Sequence, residues 1–252
     1  MENSKSKISL ILFCWLSLHC TVFTPATSIH RLYIWNVGQG QWLTLKNHLA
    51  CWHFDAGGEY APFNKISKLC SNKKNYIYLS HGDWDHIRFL AFFRKKRLST
   101  CLKNFPQEQL SIKKQNFIEK TKFCKSSQMP DNITEIKFDK NYCHASSTSN
   151  CKSRIFYLSP GVLIPGDSTR KAELFWSRYA PQTTKWLILG HHGSHTSTSP
   201  KLLNQLPELK QAFVSARRKK YGHPHRSVVR SLKKRKIPLL STEHWGTIII
   251  EL

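Results

Sequence analysis

Acidic residues are scarce in this sequence, and it has neither a Cys-x-x-Cys pair nor an internal repeat. Its 252 residues include 15 aspartates and glutamates against 39 lysines and arginines, a formal net charge of +24 at pH 7. The missing cysteine pairs argue against a structural zinc knot. The excess of positive charge is beyond what solubility requires, and it points to a polyanionic partner such as nucleic acid or an anionic membrane surface.

Long apolar runs are also rare, and the only one lies near the N-terminus. A weakly basic start, MENSKSK, precedes the apolar ISLILFCWLSLHCTVF, and small residues follow at Ala26 and Ser28. This order is typical of a secretory signal peptide, so we predict that residues 1–28 are removed near Ser28. A membrane anchor is the alternative, but a run of about 16 residues is shorter than the roughly 20 that span a bilayer. The mature domain would comprise residues 29–252 and would be periplasmic or secreted.

Removing the predicted signal peptide changes the composition little. The charge goes from +24 to +23 because two lysines and one glutamate are lost, and six of the eight cysteines remain. An even number of cysteines in an exported chain favours disulfides. Cys101 with Cys124, and Cys143 with Cys151, are plausible local pairs, although six cysteines allow 15 pairings.

Short β-prone runs alternate with amphipathic helical segments along the mature chain. Strands are predicted in RLYIWNVGQGQWLTL, ACWHFDAGG, NYIYLSHGDWDH, GVLIPGD, KWLILGHHGS, QAFVSA and GTIIIEL. Helices are predicted in IRFLAFFRKK, STRKAELFWSRY, SPKLLNQL and HRSVVRSLKKRK, with Ser199 capping the third. Residues 99–153 differ: they are rich in lysine and cysteine and have little periodicity. The pattern predicts one α/β domain with an irregular, disulfide-stapled segment.

Histidines and aspartates follow several of these strands directly. SHGDWDH places two of each within six positions, Asp167 ends GVLIPGD, and two histidines follow KWLIL. Loops at the ends of neighbouring strands can bring such side chains to one point. Carboxylate oxygens and imidazole nitrogens suit a divalent metal such as zinc, manganese or iron. The sequence therefore predicts a metal site at a strand edge.

The ordered set WNVGQGQ, FDAGG, SHGDWDHI, LIPGD, LGHHGSHTSTS and YGHPH resembles the metallo-β-lactamase superfamily, and within it the extracytoplasmic domain of the ComEC competence proteins. The resemblance covers roughly residues 30–252 and is weakest over 99–140. It implies an αββα sandwich with metals at the strand edge. ComEC proteins are DNA-uptake channels with many membrane helices, so we expect a secreted, free-standing version here.

The resemblance also implies a site for one or two divalent ions, zinc or manganese above all. Its six ligands would be His81, Asp83, Asp85, His86, Asp167 and His191. The first two would serve one metal position and the next two the other, while Asp167 would bridge the metals and His191 would complete the second site. Adjacent side chains on an extended segment point in opposite directions, so we expect His192 to support its neighbour.

Two residues are candidates for a catalytic role, Asp85 and His223. His223, in YGHPH, resembles a residue that lies near the metals in this family, and it would orient a phosphate or protonate a leaving oxygen. Asp55 is expected to support the ligand loop. The family has aspartates where this chain has Asn36 and Gln41, and both are expected to be supporting residues.

These features predict a secreted, metal-dependent hydrolase, most simply a nuclease or phosphodiesterase acting on DNA, in DNA uptake or nucleic-acid scavenging. A metal activates water for such a hydrolysis, and the positive field gathers a polyanionic substrate. One alternative is hydrolysis of another substrate such as a β-lactam. Another is a basic DNA-binding protein with weak catalysis, motivated by the two replaced carboxylates.

Overall fold

The computed structural model describes residues 30–126, 128–139, 143 and 149–252. The predicted signal peptide lies outside the described residues. None of the helices in these ranges combines the length and the apolar character that crossing a membrane requires.

The described residues form twelve short strands. In chain order they are β1 Arg31–Ile34, β2 Leu43–Lys46, β3 Ala50–Phe54, β4 Lys74–Tyr78, β5 Thr100–Leu102, β6 Ile133–Ile136, β7 Ile155–Leu158, β8 Val162–Ile164, β9 Trp186–Ile188, β10 Gln211–Val214, β11 Leu239–Ser241 and β12 Ile248–Glu251. The predicted apolar runs therefore contain strands, and most of these strands are buried along their length.

Nine α-helices occur in the same ranges. They are α1 Phe63–Cys70, α2 Trp84–Ile87, α3 Leu90–Lys95, α4 Ile112–Glu119, α5 Arg170–Trp176, α6 Pro200–Asn204, α7 Arg218–Tyr221, α8 Arg226–Lys234 and α9 Thr242–Trp245. The cap predicted for α6 is present, because the Ser199 side chain accepts a hydrogen bond from the backbone N–H of Leu202.

The strands make two six-stranded sheets. The first sheet has the order β12-β1-β2-β3-β4-β5 and the second β11-β10-β9-β8-β7-β6. In the first sheet β3, β4 and β5 run parallel, and in the second β8 to β11 do. Parallel neighbours end at the same edge of a sheet, so the loops that follow β3 and β4 lie side by side in the first sheet and those that follow β8 and β9 lie side by side in the second.

Three hydrophobic clusters show how the layers stack. The central one joins side chains of both sheets, including Phe54 and Tyr78 from the first and Phe156 from the second. A second cluster packs helices such as α1 and α3 against the first sheet, through Ile66 and Phe93, and a third packs α5, α6 and α8 against the second sheet. The result is the αββα sandwich, which confirms the predicted fold class.

The segment 99–153 contains more regular structure than its sequence indicates, namely β5, α4 and β6. Disulfides join Cys101 to Cys124 and Cys143 to Cys151, as expected for local pairs, and a third joins Cys51 to Cys70. The third pair links β3 to α1, a helix that was not predicted. All six cysteines outside residues 1–28 are thus paired.

Candidate metal centre

The ligand-bearing loops lie at the strand ends as the topology requires. We call residues 80–86 the first ligand loop, which follows β4, and residues 190–193 the second ligand loop, which follows β9. Asp167 follows β8, and the backbone N–H of His191 donates to the carbonyl of Gly166 at 3.1 Å. Neighbouring strands of the second sheet thus place Asp167 beside the second ligand loop, and side-chain contacts between the loops of the two sheets join both to the first ligand loop.

Four side chains converge at the centre of this edge. One ligand atom from each of Asp85, His86, Asp167 and His192 lies within 4.8 Å of the others. His86 Nε2 is 3.1 Å from Asp167 Oδ1, and His192 Nε2 is 3.1 Å from Asp85 Oδ2. Two carboxylates and two imidazoles in a largely buried cluster match the ligand chemistry of zinc or manganese.

His81 lies beside this cluster, and one of its ring nitrogens is unusual. The ring is buried, its Nδ1 is 2.9 Å from Ser80 Oγ, and its Nε2 has no hydrogen-bond partner within the described part of the chain. Carboxylate oxygens of Asp83 and Asp167 are 3.5 and 3.9 Å from that nitrogen. A buried nitrogen without a partner is costly unless something else satisfies it. These residues therefore fit a divalent cation next to His81.

Asp83 contacts residues of the segment 99–153 as well as His81. Its two oxygens are hydrogen-bonded by Lys114 Nζ at 2.8 Å and Ser149 Oγ at 2.7 Å. Burial raises the pKa of Asp83, but the nearby ring of His81, together with the Lys114 and Ser149 hydrogen bonds, outweighs it and holds the pKa well below its usual range. Nothing in the sequence indicates that Lys114 or Ser149 would reach this loop, because residues 99–153 show no pattern that points towards it.

Asp55 anchors the first ligand loop through hydrogen bonds to its carboxylate. It is fully buried, and its oxygens accept hydrogen bonds from Ser80 N at 2.7 Å, Ser80 Oγ at 2.8 Å and Gln41 Nε2 at 2.8 Å. Its Oδ2 is also 2.7 Å from His86 Nδ1. A carboxylate that holds one nitrogen of an imidazole fixes the ring and directs the other nitrogen to a metal. Asp55 thus has the supporting position expected from its sequence.

Asn36 and Gln41 stand outside the four-residue cluster. Gln41 is buried and donates to Asp55, whereas the Asn36 side chain accepts from Tyr60 OH at 3.1 Å and from Gly38 N at 3.4 Å. Both positions support neighbouring loops, in keeping with the sequence expectation.

The second ligand loop does not have the extended backbone assumed from its sequence. His191 has φ 47° and ψ 48°, and His192 has φ 52° and ψ 25°, so both are left-handed. His192 is buried with its Nε2 3.5 Å from Asp167 Oδ2, while the His191 Nε2 is 3.8 Å from the same oxygen. His191 is hydrogen-bonded at the rim with Thr196 Oγ1 and Asn150 Nδ2. The distances favour His192 over His191 as the ligand, the reverse of the sequence expectation, and the ligand assignment stays a proposal.

The histidines and carboxylates at the centre of the site shift one another's pKa values through their charges. Burial lowers the pKa of His86, but the carboxylates of Asp167 and Asp55 outweigh it and hold the pKa well above its usual range. Burial raises the pKa of Asp167, and the charges of His86, His192 and His81 more than reverse this. The same balance lowers the pKa of Asp85 to about 2, where the His192 hydrogen bond and the charge of His86 overcome burial. The carboxylates are therefore ionised and suited to a cation.

His223 lies at the rim, with its ring centroid 6.0 Å from that of His191. Burial, followed by the charges of His192 and His191, lowers the pKa of His223 to about 4. Its Nδ1 is 3.1 Å from Gln39 Nε2. Gln39 was not singled out from the sequence, although its position between two glycines marks a turn.

One further group of metal-type side chains, Cys51, His53 and Cys70, lies away from this edge. Its two thiols are consumed by a disulfide, so it offers no thiolate ligand.

The chain has the fold of solved metallo-β-lactamase proteins. It is similar to the metallo-β-lactamase fold protein YhfI of Bacillus subtilis, with a TM-score of 0.55 and 11% identity over 88% of this chain and 100% of that one. It is also similar to a diphosphatase of the PhnP family, with a TM-score of 0.52 and 12% identity over 89% and 99% of the two chains. These similarities confirm the fold that the motifs predicted. No family model matches the chain.

Sequence relatives lie among competence and recombination proteins. The chain is 25% identical over 227 residues to competence protein ComA of Neisseria gonorrhoeae, a match covering 85% of this chain and 31% of that protein. It is 27% identical over 187 residues to ComE operon protein 3 of Bacillus subtilis, covering 68% and 24%. The resemblance to a ComEC-like metallo-β-lactamase domain is thereby confirmed. The matched region is under a third of the length of each relative.

Proposed function

We propose that the chain is an exported, metal-dependent hydrolase that cleaves phosphodiester bonds in DNA. The observation that carries the proposal is the buried cluster of Asp85, His86, Asp167 and His192 beside the unpartnered Nε2 of His81. A divalent metal, when bound, supplies Lewis-acid activation of water and of a phosphoryl oxygen. The residues of the chain hold the ion and orient the substrate.

Charge and relatedness favour DNA over other substrates. The chain carries +24, and the exposed basic helix α7 directly precedes His223. Contacts of this kind bind phosphates without reading sequence. The relatives include proteins named for competence and recombination, and one structural neighbour is described as a diphosphatase. Together these observations support a phosphodiester substrate.

Export is supported by the disulfides. All six cysteines outside residues 1–28 are paired in the structure, and such bonds persist in oxidising compartments. The proposed signal peptide accounts for how the chain would reach one. We therefore place the activity in the periplasm or outside the cell.

The test begins with metal analysis of the purified exported protein, followed by degradation of plasmid and linear DNA with added manganese or zinc. We expect at least one bound ion per chain, cleavage of unrelated sequences, and loss of cleavage on chelation. Binding should also weaken steeply as salt rises.

Two results would redirect the proposal. Hydrolysis of a β-lactam in place of DNA by the metal-loaded protein would make it a different metallo-hydrolase. Salt-sensitive DNA binding without any cleavage at full metal occupancy would make it a DNA-binding protein that has kept the fold.

A further inference from the structure

The glutamine between Gly38 and Gly40 lies far from the metal ligands in sequence but touches the rim of the site. Gly38 and Gly40 have φ of 73° and 138°, a backbone region that glycine adopts without strain. A Cβ on Gly40 would lie 2.7 Å from the carbonyl oxygen of Asp85. The turn is thus packed directly against the first ligand loop, and this close approach fixes where the Gln39 side chain begins.

The orientation of the Gln39 amide follows from its hydrogen bonds. Its Oε1 accepts from the backbone N–H of Arg217 at 3.3 Å. A backbone N–H can only donate, so the oxygen of the amide must face Arg217. The Nε2 group, which can only donate, is thereby turned to His223 Nδ1 at 3.1 Å. These two hydrogen bonds therefore identify the oxygen and the nitrogen of the Gln39 amide.

A donor facing Nδ1 decides where the proton of the His223 ring lies. Nδ1 must accept the Gln39 hydrogen bond, and an imidazole nitrogen that accepts carries no proton. The proton of the neutral ring is therefore on Nε2. Among the described residues, no protein group hydrogen-bonds to Nε2 of His223, so this N–H remains available at the rim beside His191.

We propose that Gln39 is a positioning residue that holds His223 in the Nε2–H tautomer, so that His223 presents a hydrogen-bond donor to the phosphate or to the leaving oxygen of the substrate. This inference rests on the proposed hydrolase function for its substrate, although the Gln39–His223 contact itself does not. It links residues 184 positions apart in the chain. The turn after β1 thereby acts on a side chain that follows β10.

The neutral ring acts as a hydrogen-bond donor and not as an acid. Loss of the Nε2 proton from a ring whose Nδ1 is already unprotonated would leave an imidazolate anion, so the Nε2–H bond stays intact and no bond to His223 breaks. The hydrogen bond stabilises negative charge that develops on a phosphate oxygen or on the leaving oxygen.

The test reads the tautomer directly, through ¹⁵N chemical shifts of the histidine rings in the zinc-loaded protein. His223→Gln identifies the His223 signals by their disappearance. We expect wild-type His223 to show a protonated Nε2 and an unprotonated Nδ1. Gln39→Met, which keeps the length of the side chain but removes the donor, should shift the signals towards a mixture of tautomers. Gln39→Glu, which replaces the donor with an acceptor, should place a proton on Nδ1.

Kinetics supply a second readout on the same variants. Gln39→Met should lower kcat for DNA cleavage by roughly tenfold to a hundredfold with metal affinity unchanged, since losing a hydrogen-bond donor to developing negative charge costs about 10²–10³-fold and a mixture of tautomers keeps part of that donor. Gln205→Met, at the end of α6, is the matched control and should change neither the ring signals nor the rate. Equal thermal unfolding of the glutamine variants excludes a folding defect.

Two outcomes would overturn the inference: a wild-type His223 protonated on Nδ1, or His223 signals that do not move in either Gln39 variant. If the wild type cleaves no phosphodiester but the ring signals respond as expected, the proposed function fails while the Gln39 contact stands.

Discussion

The first ligand loop brings histidines and carboxylates to the metal centre, the second brings two adjacent histidines, and the backbones of the two loops differ. In the first loop Asp83 is extended, with φ −75° and ψ 148°, and then the short helix α2 begins. In the second loop two consecutive histidines have positive φ. Such a conformation costs about 1–2 kcal/mol for each residue with a Cβ, and it persists where the surroundings impose it.

The surroundings of the second loop show what imposes it. The backbone N–H of His225 donates to the carbonyl of Gly193 at 2.8 Å, and that of Ser194 donates to His191 at 2.8 Å. The first loop also receives backbone hydrogen bonds from distant segments, from Gln41 N–H to the Asp85 carbonyl at 3.1 Å and from Ala56 N–H to the His86 carbonyl at 2.7 Å, and the buried carboxylate of Asp55 holds it in addition. The two loops therefore differ in that the first has ordinary backbone and a buried carboxylate anchor, whereas the second has two left-handed residues.

Asp167 is the residue that both loops approach, so removing it should have the largest effect. Asp167→Ala takes away a carboxylate close to His81, His86 and His192. We expect DNA cleavage to fall by at least on the order of a hundredfold, with His81→Ala and His86→Ala behaving similarly. DNA binding through the basic surface should remain.

This prediction is tested by measuring cleavage and binding of labelled duplex DNA at matched metal concentration. Lys219→Ala, on the exposed face of α7, is the matched control and should weaken binding without abolishing turnover. Equal cleavage by wild type and Asp167→Ala would show that the metal centre lies elsewhere.

The next prediction compares the two adjacent histidines. Asparagine tolerates left-handed backbone better than most residues, so His191→Asn and His192→Asn keep the loop conformation while removing each imidazole. We expect His192→Asn to lower zinc affinity by roughly tenfold or more, because His192 is in the four-residue cluster. His191→Asn should lower it less.

Competition with a chromogenic zinc chelator measures both affinities. A greater loss in His191→Asn than in His192→Asn would restore the order expected from the sequence and would mean that the loop rearranges around the ion.

The limits of sequence reasoning follow from the same two loops. The position of these residues directly after predicted strands led us to expect that Asp167 and residues 81–86 would meet, and they do meet, although they follow strands of different sheets. It did not predict which of His191 and His192 faces inward, since the left-handed backbone of this loop is held in part by the contact between Gly193 and His225, which are distant in the chain. Lys114 and Ser149 were missed for a similar reason: they reach Asp83 only through the folding of a segment without periodicity. The fold class was accessible because alternation of strands and helices is a local signal.

Replacing Asp55, the carboxylate that anchors the first loop, should have a smaller effect than the substitutions above. Asp55→Asn replaces an oxygen with an NH₂ group in a fully buried site whose oxygens accept from Ser80 and face His86. In either orientation of the asparagine amide, its NH₂ group faces another hydrogen-bond donor. We expect metal affinity to fall by about 10–100-fold, as for other supporting partners of metal ligands.

Zinc titration followed by calorimetry measures this change. Asp131→Asn, at an exposed position, is the matched control. An unchanged affinity would mean that the loop backbone alone holds His86 in place.

The smallest expected effect concerns Glu59, which joins the turn beside the first loop to the segment that follows β10. Its carboxylate accepts from the backbone N–H of Gln39 at 3.1 Å, from Lys220 Nζ at 2.7 Å and from Tyr221 OH at 2.9 Å. Burial raises the pKa of Glu59, but these contacts outweigh it, with Lys220 foremost, and lower the pKa from 4.5 to about 2. Ionised Glu59 therefore stabilises the folded protein.

The sign of the pH dependence follows from that lowered pKa. The stabilisation is fully present above the ordinary value of 4.5 and is lost as pH falls towards about 2. We expect Glu59→Gln to lower the free energy of unfolding by about 1 kcal/mol near pH 7, a small value because solvent screens partly exposed ion pairs. The difference in free energy of unfolding between wild type and Glu59→Gln should then narrow as pH falls from 4.5 towards about 2. Denaturant unfolding at several pH values measures it, with Glu208→Gln controlling for the change of net charge alone. A gap that stays constant from pH 7 to pH 2 would mean that the two regions are joined by packing and not by the charge of Glu59.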